Sequence, residues 1–68
     1  MDEDNLNMEI RKFLKKVGIT SQRLIENEIN QANNKGLINS GDEIQLEMTL
    51  TIKSLNAQNI ISGKIKID

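Results

Sequence analysis

The apolar residues of this chain change their spacing partway along it, and that change separates the part that can be helix from the part that can be strand. Leu6, Ile10, Phe13, Leu14 and Val17 fall at i, i+4, i+7, i+8 and i+11. That spacing is one face of an α-helix. From Ile44 the period is two. Ile44, Leu46, Met48, Leu50 and Ile52 alternate with Gln45, Glu47, Thr49, Thr51 and Lys53, as in a strand with one wet face. A second alternation places Ile61, Gly63, Ile65 and Ile67 against Ser62, Lys64, Lys66 and Asp68.

Local signals divide the helical part in two. Asp2, Glu3 and Asp4 crowd the start of the first helix, and Arg11, Lys12, Lys15 and Lys16 crowd its expected end at Val17. Both clusters suit the helix macrodipole, at about 0.3–1 kcal/mol per exposed contact. Gly18 fits the left-handed position after a helix. Thr20 fits the N-cap of a second helix, with Ile19 and Leu24 as its hydrophobic staple. That second helix runs to about Asn34, buries Leu24 or Ile25 with Ile29 and Ala32, and ends at Gly36. A connector of about three residues makes an αα-corner.

Ser40, Gly41 and Asp42 form the turn before the first strand. The pairing register of the hairpin stays open. Ile52 opposite Ile61 sets Glu47 against Lys66; Leu50 opposite Ile61 sets Glu47 against Lys64. Both keep the apolar faces together, so the pattern does not choose. The expected fold is α+β, of ααββ order, in a single domain over residues 1–68. Helices at about 3–17 and 21–34 pack on one face of an antiparallel hairpin with strands at about 43–53 and 60–67.

At 68 residues the core is small, and domains of this size usually need a disulfide, a metal or a partner. There is no Cys and no His. Thiolate and imidazole metal sites therefore lack their ligands, and Ser or Thr nucleophiles lack their usual base. The four glycines, at 18, 36, 41 and 63, are too scattered for a phosphate loop. The chain is expected not to be an enzyme and to take no cofactor. A homodimer, formed through strand edges or a helix face, is the expected source of extra stability. No apolar run reaches the roughly 20 residues of a membrane span, and the acidic start is unlike a signal peptide. The expected location is the cytoplasm.

Three groups of residues are candidate sites. Arg11, Lys12, Lys15 and Lys16 lie on adjacent helical turns, where they could grip phosphate or anionic lipid, but a solvated face tuned to the helix dipole is the favoured account of them. The order Gly18–Arg23, helix, Lys35–Ile38, hairpin has the sequence of elements of a winged-helix DNA-binding domain, with Ser21, Gln22 and Arg23 where base edges are read. A third supporting helix is missing, and the net charge of −1 gives little nonspecific attraction to nucleic acid. The acids Asp2, Glu3, Asp4, Asp42 and Glu43 lack the spacing of a calcium loop and suit caps and turns.

The run Ile10-Arg11-Lys12-Phe13-Leu14-Lys15-Lys16-Val17-Gly18-Ile19-Thr20-Ser21-Gln22-Arg23, followed by Ile25-Glu26, resembles the signature of a family of short bacterial proteins of unknown function, known mainly from proteobacteria. Asp2-Glu3-Asp4, Asn7, and Gly63 followed by Ile65 and Ile67 fit as well. Asn30, Asn33, Asn34 and Asn59 depart from it. The resemblance implies a stand-alone small protein and assigns no activity or site residue. The remaining expectation is a small interaction or regulatory module with an unknown protein partner. Its candidate surface is Arg11, Lys12, Lys15, Lys16 and Arg23. Winged-helix-like nucleic-acid binding is the alternative.

Overall fold

A computed structural model describes all residues from Met1 to Asp68. They divide into two units, Met1–Leu37 and Ile38–Asp68. The first unit is one helix, α1, from Glu3 to Asn34, 32 residues long. The expected pair of helices is therefore corrected to one, and there is no αα-corner. Gly18 does not have a positive φ, Thr20 caps nothing, and Ile19 is an ordinary helical residue.

The energetics of helix ends explain the continuity. A glycine inside a helix costs about 1 kcal/mol relative to alanine. A break would create two new ends, with four unpaired N–H groups at one and four unpaired C=O groups at the other. The chain has no proline to force that break. The true ends of α1 are capped. The Asp2 carboxylate accepts from the backbone N–H of Asn5 at 3.1 Å, satisfying an otherwise unpaired donor. At the other end Gly36 has φ +71°. Its N–H donates to Asn33 O at 3.0 Å, and the Leu37 N–H donates to Ala32 O at 2.9 Å. That pair of bonds is a Schellman ending.

The second unit is a two-stranded antiparallel sheet, β1 at Glu43–Ile52 and β2 at Ala57–Lys66. A turn leads into it. Asp42 N–H donates to Asn39 O at 3.0 Å, the Asp42 carboxylate accepts from Asn39 N–H at 2.8 Å, and Gly41 has φ +94°. Glycine takes that φ without steric cost. Gly41 N–H to Ile67 O and Ile67 N–H to Asp42 O, at 2.6 and 2.8 Å, carry the pairing past the strand ends.

The register is neither of the two that the pattern allowed. Met48 faces Ile61, Ile44 faces Ile65, Leu46 faces Gly63 and Ile52 faces Ala57. This is one two-residue step beyond the tighter expected pairing, so β2 begins at Ala57 and not near residue 60. Each such step preserves the faces and adds ladder pairs. It stops where the connection has shrunk to Lys53–Asn56, a 3₁₀ turn closed by Asn56 in the left-handed conformation (φ 52°, ψ 42°). Asparagine is among the few non-glycine residues that accept it readily. Glu43 now faces Lys66, and Glu47 faces Ser62.

No side chain in the chain is fully buried. Half-buried positions are Val17, Ser21, Ile25, Ile29 and Ala32 on α1, and Ile38, Ile44, Leu46, Ile65 and Ile67 in the second unit.

Two results are expected. Gly18→Ala raises helix stability by about 0.5–1 kcal/mol, whereas Gly36→Ala lowers it by about 1 kcal/mol because its backbone is left-handed. Thermal melts followed by circular dichroism read both; a destabilised Gly18→Ala would mean that the helix breaks there. For the hairpin, cross-strand nuclear Overhauser effects should join Met48 to Ile61 and Ile44 to Ile65. Contacts joining Leu50 or Ile52 directly opposite Ile61 would overturn this register.

Candidate functional site

Successive residues turn by about 100° around a helix axis. On a continuous α1 that rotation brings Leu6, Ile10, Phe13, Leu14, Val17, Ser21, Ile25 and Ala32 onto one side, with Ile29 at its margin; Leu24 and the charged Glu28 share that side, five turns on from Leu6 and Ile10. The stripe runs the length of the helix. Its first half is the more open: Leu6 is 39% accessible and Phe13 53%. Of the two residues that the pattern left open, Ile25 is half-buried and Leu24 is 61% accessible. Ser21 belongs to the stripe although it is polar. An expected break at Gly18 hides that membership; the i, i+4 steps Val17, Ser21, Ile25, Ile29 reveal it once the break is removed.

The same rotation places Lys12, Lys15, Lys16 and Arg23 on the side away from the stripe, with Arg11 at its margin, at the angle of Ile29. Lys12 Nζ lies 3.6 Å from the Glu9 carboxylate, with both side chains more than 60% accessible. It is the one ion pair within 4 Å, and exposed pairs of this spacing are worth about 0.2–0.5 kcal/mol. The four-residue basic block lies in the middle of α1, and the last turn of the helix has no basic residue. Its expected dipole role is therefore corrected, because that interaction fades within the first and last turns.

Ser21, Gln22 and Arg23 also sit mid-helix and not at a helix N-terminus. The geometry of the winged-helix alternative is absent, since the turn it requires before the recognition helix is itself helical. Asp2 and Asp42 act as cap and turn acceptors. No three acidic side chains converge on a point where a cation would sit. None of the chain's helices is long and apolar enough to cross a membrane.

On the hairpin, Ile44, Leu46, Met48, Leu50 and Ile52 share a face with Ile61 and Ile65. Gly63 faces Leu46 with no side chain of its own, and nothing lies within 4 Å of where its Cβ would be. An open groove of about 520 Å³ results, lined by Gln45, Leu46, Glu47, Ser62, Gly63 and Lys64. Its lining contains one acid and one base on opposite strands and no nucleophile–base pair. The sites that the geometry does offer are thus surfaces: an apolar stripe on α1, a basic side behind it, an apolar sheet face and two unpaired strand edges.

No curated protein matches the chain, and no solved structure matches it. The family of unknown function DUF6494 matches residues 1–68. A match over the whole length makes this chain a member of DUF6494.

Proposed function

We propose that the chain is a small non-enzymatic interaction module that works by associating with a second copy of itself. One observation carries the reading: neither unit has a single fully buried side chain, although Leu6, Ile10, Phe13, Leu14, Met48, Leu50, Ile52 and Ile61 are all large, apolar and exposed. A lone helix has no interior, and a two-stranded hairpin by itself is marginal in water. Large apolar faces left open on a small chain mark interaction surfaces. The absence of Cys and His from the sequence and the scattering of the acids support a role without catalysis.

A dilution series tests this. Light scattering at high micromolar concentration should give twice the monomer mass, and the melting temperature should rise with concentration, as association requires. A monomer at that concentration that unfolds cooperatively would sink the reading.

Nucleic-acid binding is the competing reading. The continuity of α1 favours it in one respect, because it brings Arg23 onto the side that holds Lys12, Lys15 and Lys16. Against it, Asp4, Glu9 and Glu26 stand among these cations, and the net charge is −1. Duplex DNA should show no measurable affinity at physiological salt. An affinity that falls steeply with salt and disappears when Arg11, Lys12, Lys15 and Lys16 become Gln would favour the alternative.

A further inference from the structure

We infer that the occupant of the α1 stripe is the stripe of a second copy, running antiparallel about a two-fold axis near Ile19. This rests on the homotypic reading above and adds the surface, the orientation and the register. Three observations on the helix carry it.

The first is the order of charge along α1. Glu3, Asp4 and Glu9 come first, Arg11, Lys12, Lys15 and Lys16 follow, Arg23, Glu26 and Glu28 come later, and Lys35 stands at its end. A parallel, in-register partner would place the two basic blocks side by side and the two acidic starts side by side. Antiparallel pairing about Ile19 sets residue 3 at the level of the partner's 35, so Glu3 meets Lys35, and both lie on the stripe side. It sets Lys12 level with Glu26, Lys15 level with Arg23, and Glu28 level with Ile10, one residue from Arg11, so the basic block meets acids only through Glu26 and Glu28. The two basic blocks then lie about 16 Å apart along the axis, at 1.5 Å per residue. That is beyond the screening length of about 8 Å at physiological salt.

The second is the order of size along the stripe. Its first half carries Leu6, Ile10, Phe13 and Val17; its second carries Ser21, Ile25, Ile29 and Ala32. In the same register Leu6 meets Ala32, Phe13 meets Ile25 and Val17 meets Ser21, with Ile10 beside Ile29. Leu6, Phe13 and Val17 thus face smaller residues, as interdigitating cores favour, while Leu14 stands level with Leu24 and Ile10 beside Ile29, residues of their own size. Parallel pairing would stack Phe13 on Phe13 and leave Ser21 facing Ser21.

The third is the charge balance. Within Glu3–Asn34 five acidic side chains offset five basic ones. Helices held on anionic lipid surfaces carry an excess of Lys and Arg on the polar face. A neutral helix with alternating blocks instead fits a copy of itself in reverse.

The native chain has no Cys, which permits a clean orientation test. Glu3→Cys and Lys35→Cys variants of the full chain are mixed in a glutathione buffer and allowed to equilibrate. The mixed disulfide should exceed the same-site disulfides by about tenfold beyond the statistical ratio, corresponding to about 1.4 kcal/mol of orientational preference. Phe13→Asp in either background should abolish cross-linking, with the hairpin dispersion in the nuclear magnetic resonance spectrum showing that the second unit remains folded. Same-site disulfides in excess would overturn the orientation and leave the homotypic reading standing. A dimer by light scattering that cross-links at neither site, or that survives Phe13→Asp, would move the contact to the strand edges and overturn the inference alone. A monomer would overturn both, and a monomer that binds phosphatidylserine vesicles would assign the stripe to a lipid surface.

Discussion

The backbone ladder of α1 begins where Leu6 N–H donates to Asp2 O at 3.0 Å and runs through Gly18 to Asn34, and every surface on the first unit follows from it. A break at Gly18 would have let the second half rotate freely against the first. Unbroken, the ladder fixes the angle between any two side chains. That angle puts Ser21 and Ile25 in line with Phe13 and Val17, and it puts Arg23 on the side of Lys12 and Lys16. The face of the helix is a consequence of backbone hydrogen bonds and not of any tertiary contact.

Continuity also has an energetic consequence. A helix with Gly18 inside it and Asn at 5, 7, 27, 30, 33 and 34 is built from residues of modest helical propensity. Isolated helices gain little from propensity alone; most of their stability in proteins comes from packing an amphipathic face. Two-stranded sheets have the same need. Both units therefore depend on covering apolar surface, and the absence of Cys and His removes the disulfide and the common metal sites as substitutes. The association proposed above would supply that cover, and it would join the stability of this chain to its interactions.

The sequence discloses much of this and withholds the rest for identifiable reasons. The two-residue period from Ile44 onward shows the hairpin and its apolar face, and Gly36 followed by Leu37 marks the end of the helix. Gly18 misleads because it shares its local setting with Gly36: an apolar helix before it and Ile19 after it. Local pattern weighs the fit of glycine to a cap but not the eight backbone groups that a break would leave unpaired. The register was hidden for a different reason. All three candidate pairings differ by steps of two, and steps of two leave the faces unchanged. The deciding residue, Asn56, lies in the loop, outside the alternation altogether. The basic block was legible as a cluster, but its position relative to a helix end depended on the Gly18 assignment and changed with it.

Antiparallel pairing of α1 and edge pairing of the hairpin differ in how they end. Two helices related by a two-fold axis cover each other's stripe and leave no equivalent stripe free, so assembly closes at two. A hairpin has two edges, and pairing one leaves the other open for a further chain. The uncharged stretches Met48–Ile52 and Ala57–Ile61 offer little resistance to such growth, whereas Lys64 and Lys66 on β2 discourage it at the other end of the sheet. On the proposed association, a closed principal contact is what would keep open edges of this kind from growing further. On that proposal the α1 stripe supplies the closed contact: Glu3 and Lys35 stand at its opposite ends, and Leu6, Phe13 and Val17 of one copy meet Ala32, Ile25 and Ser21 of the other.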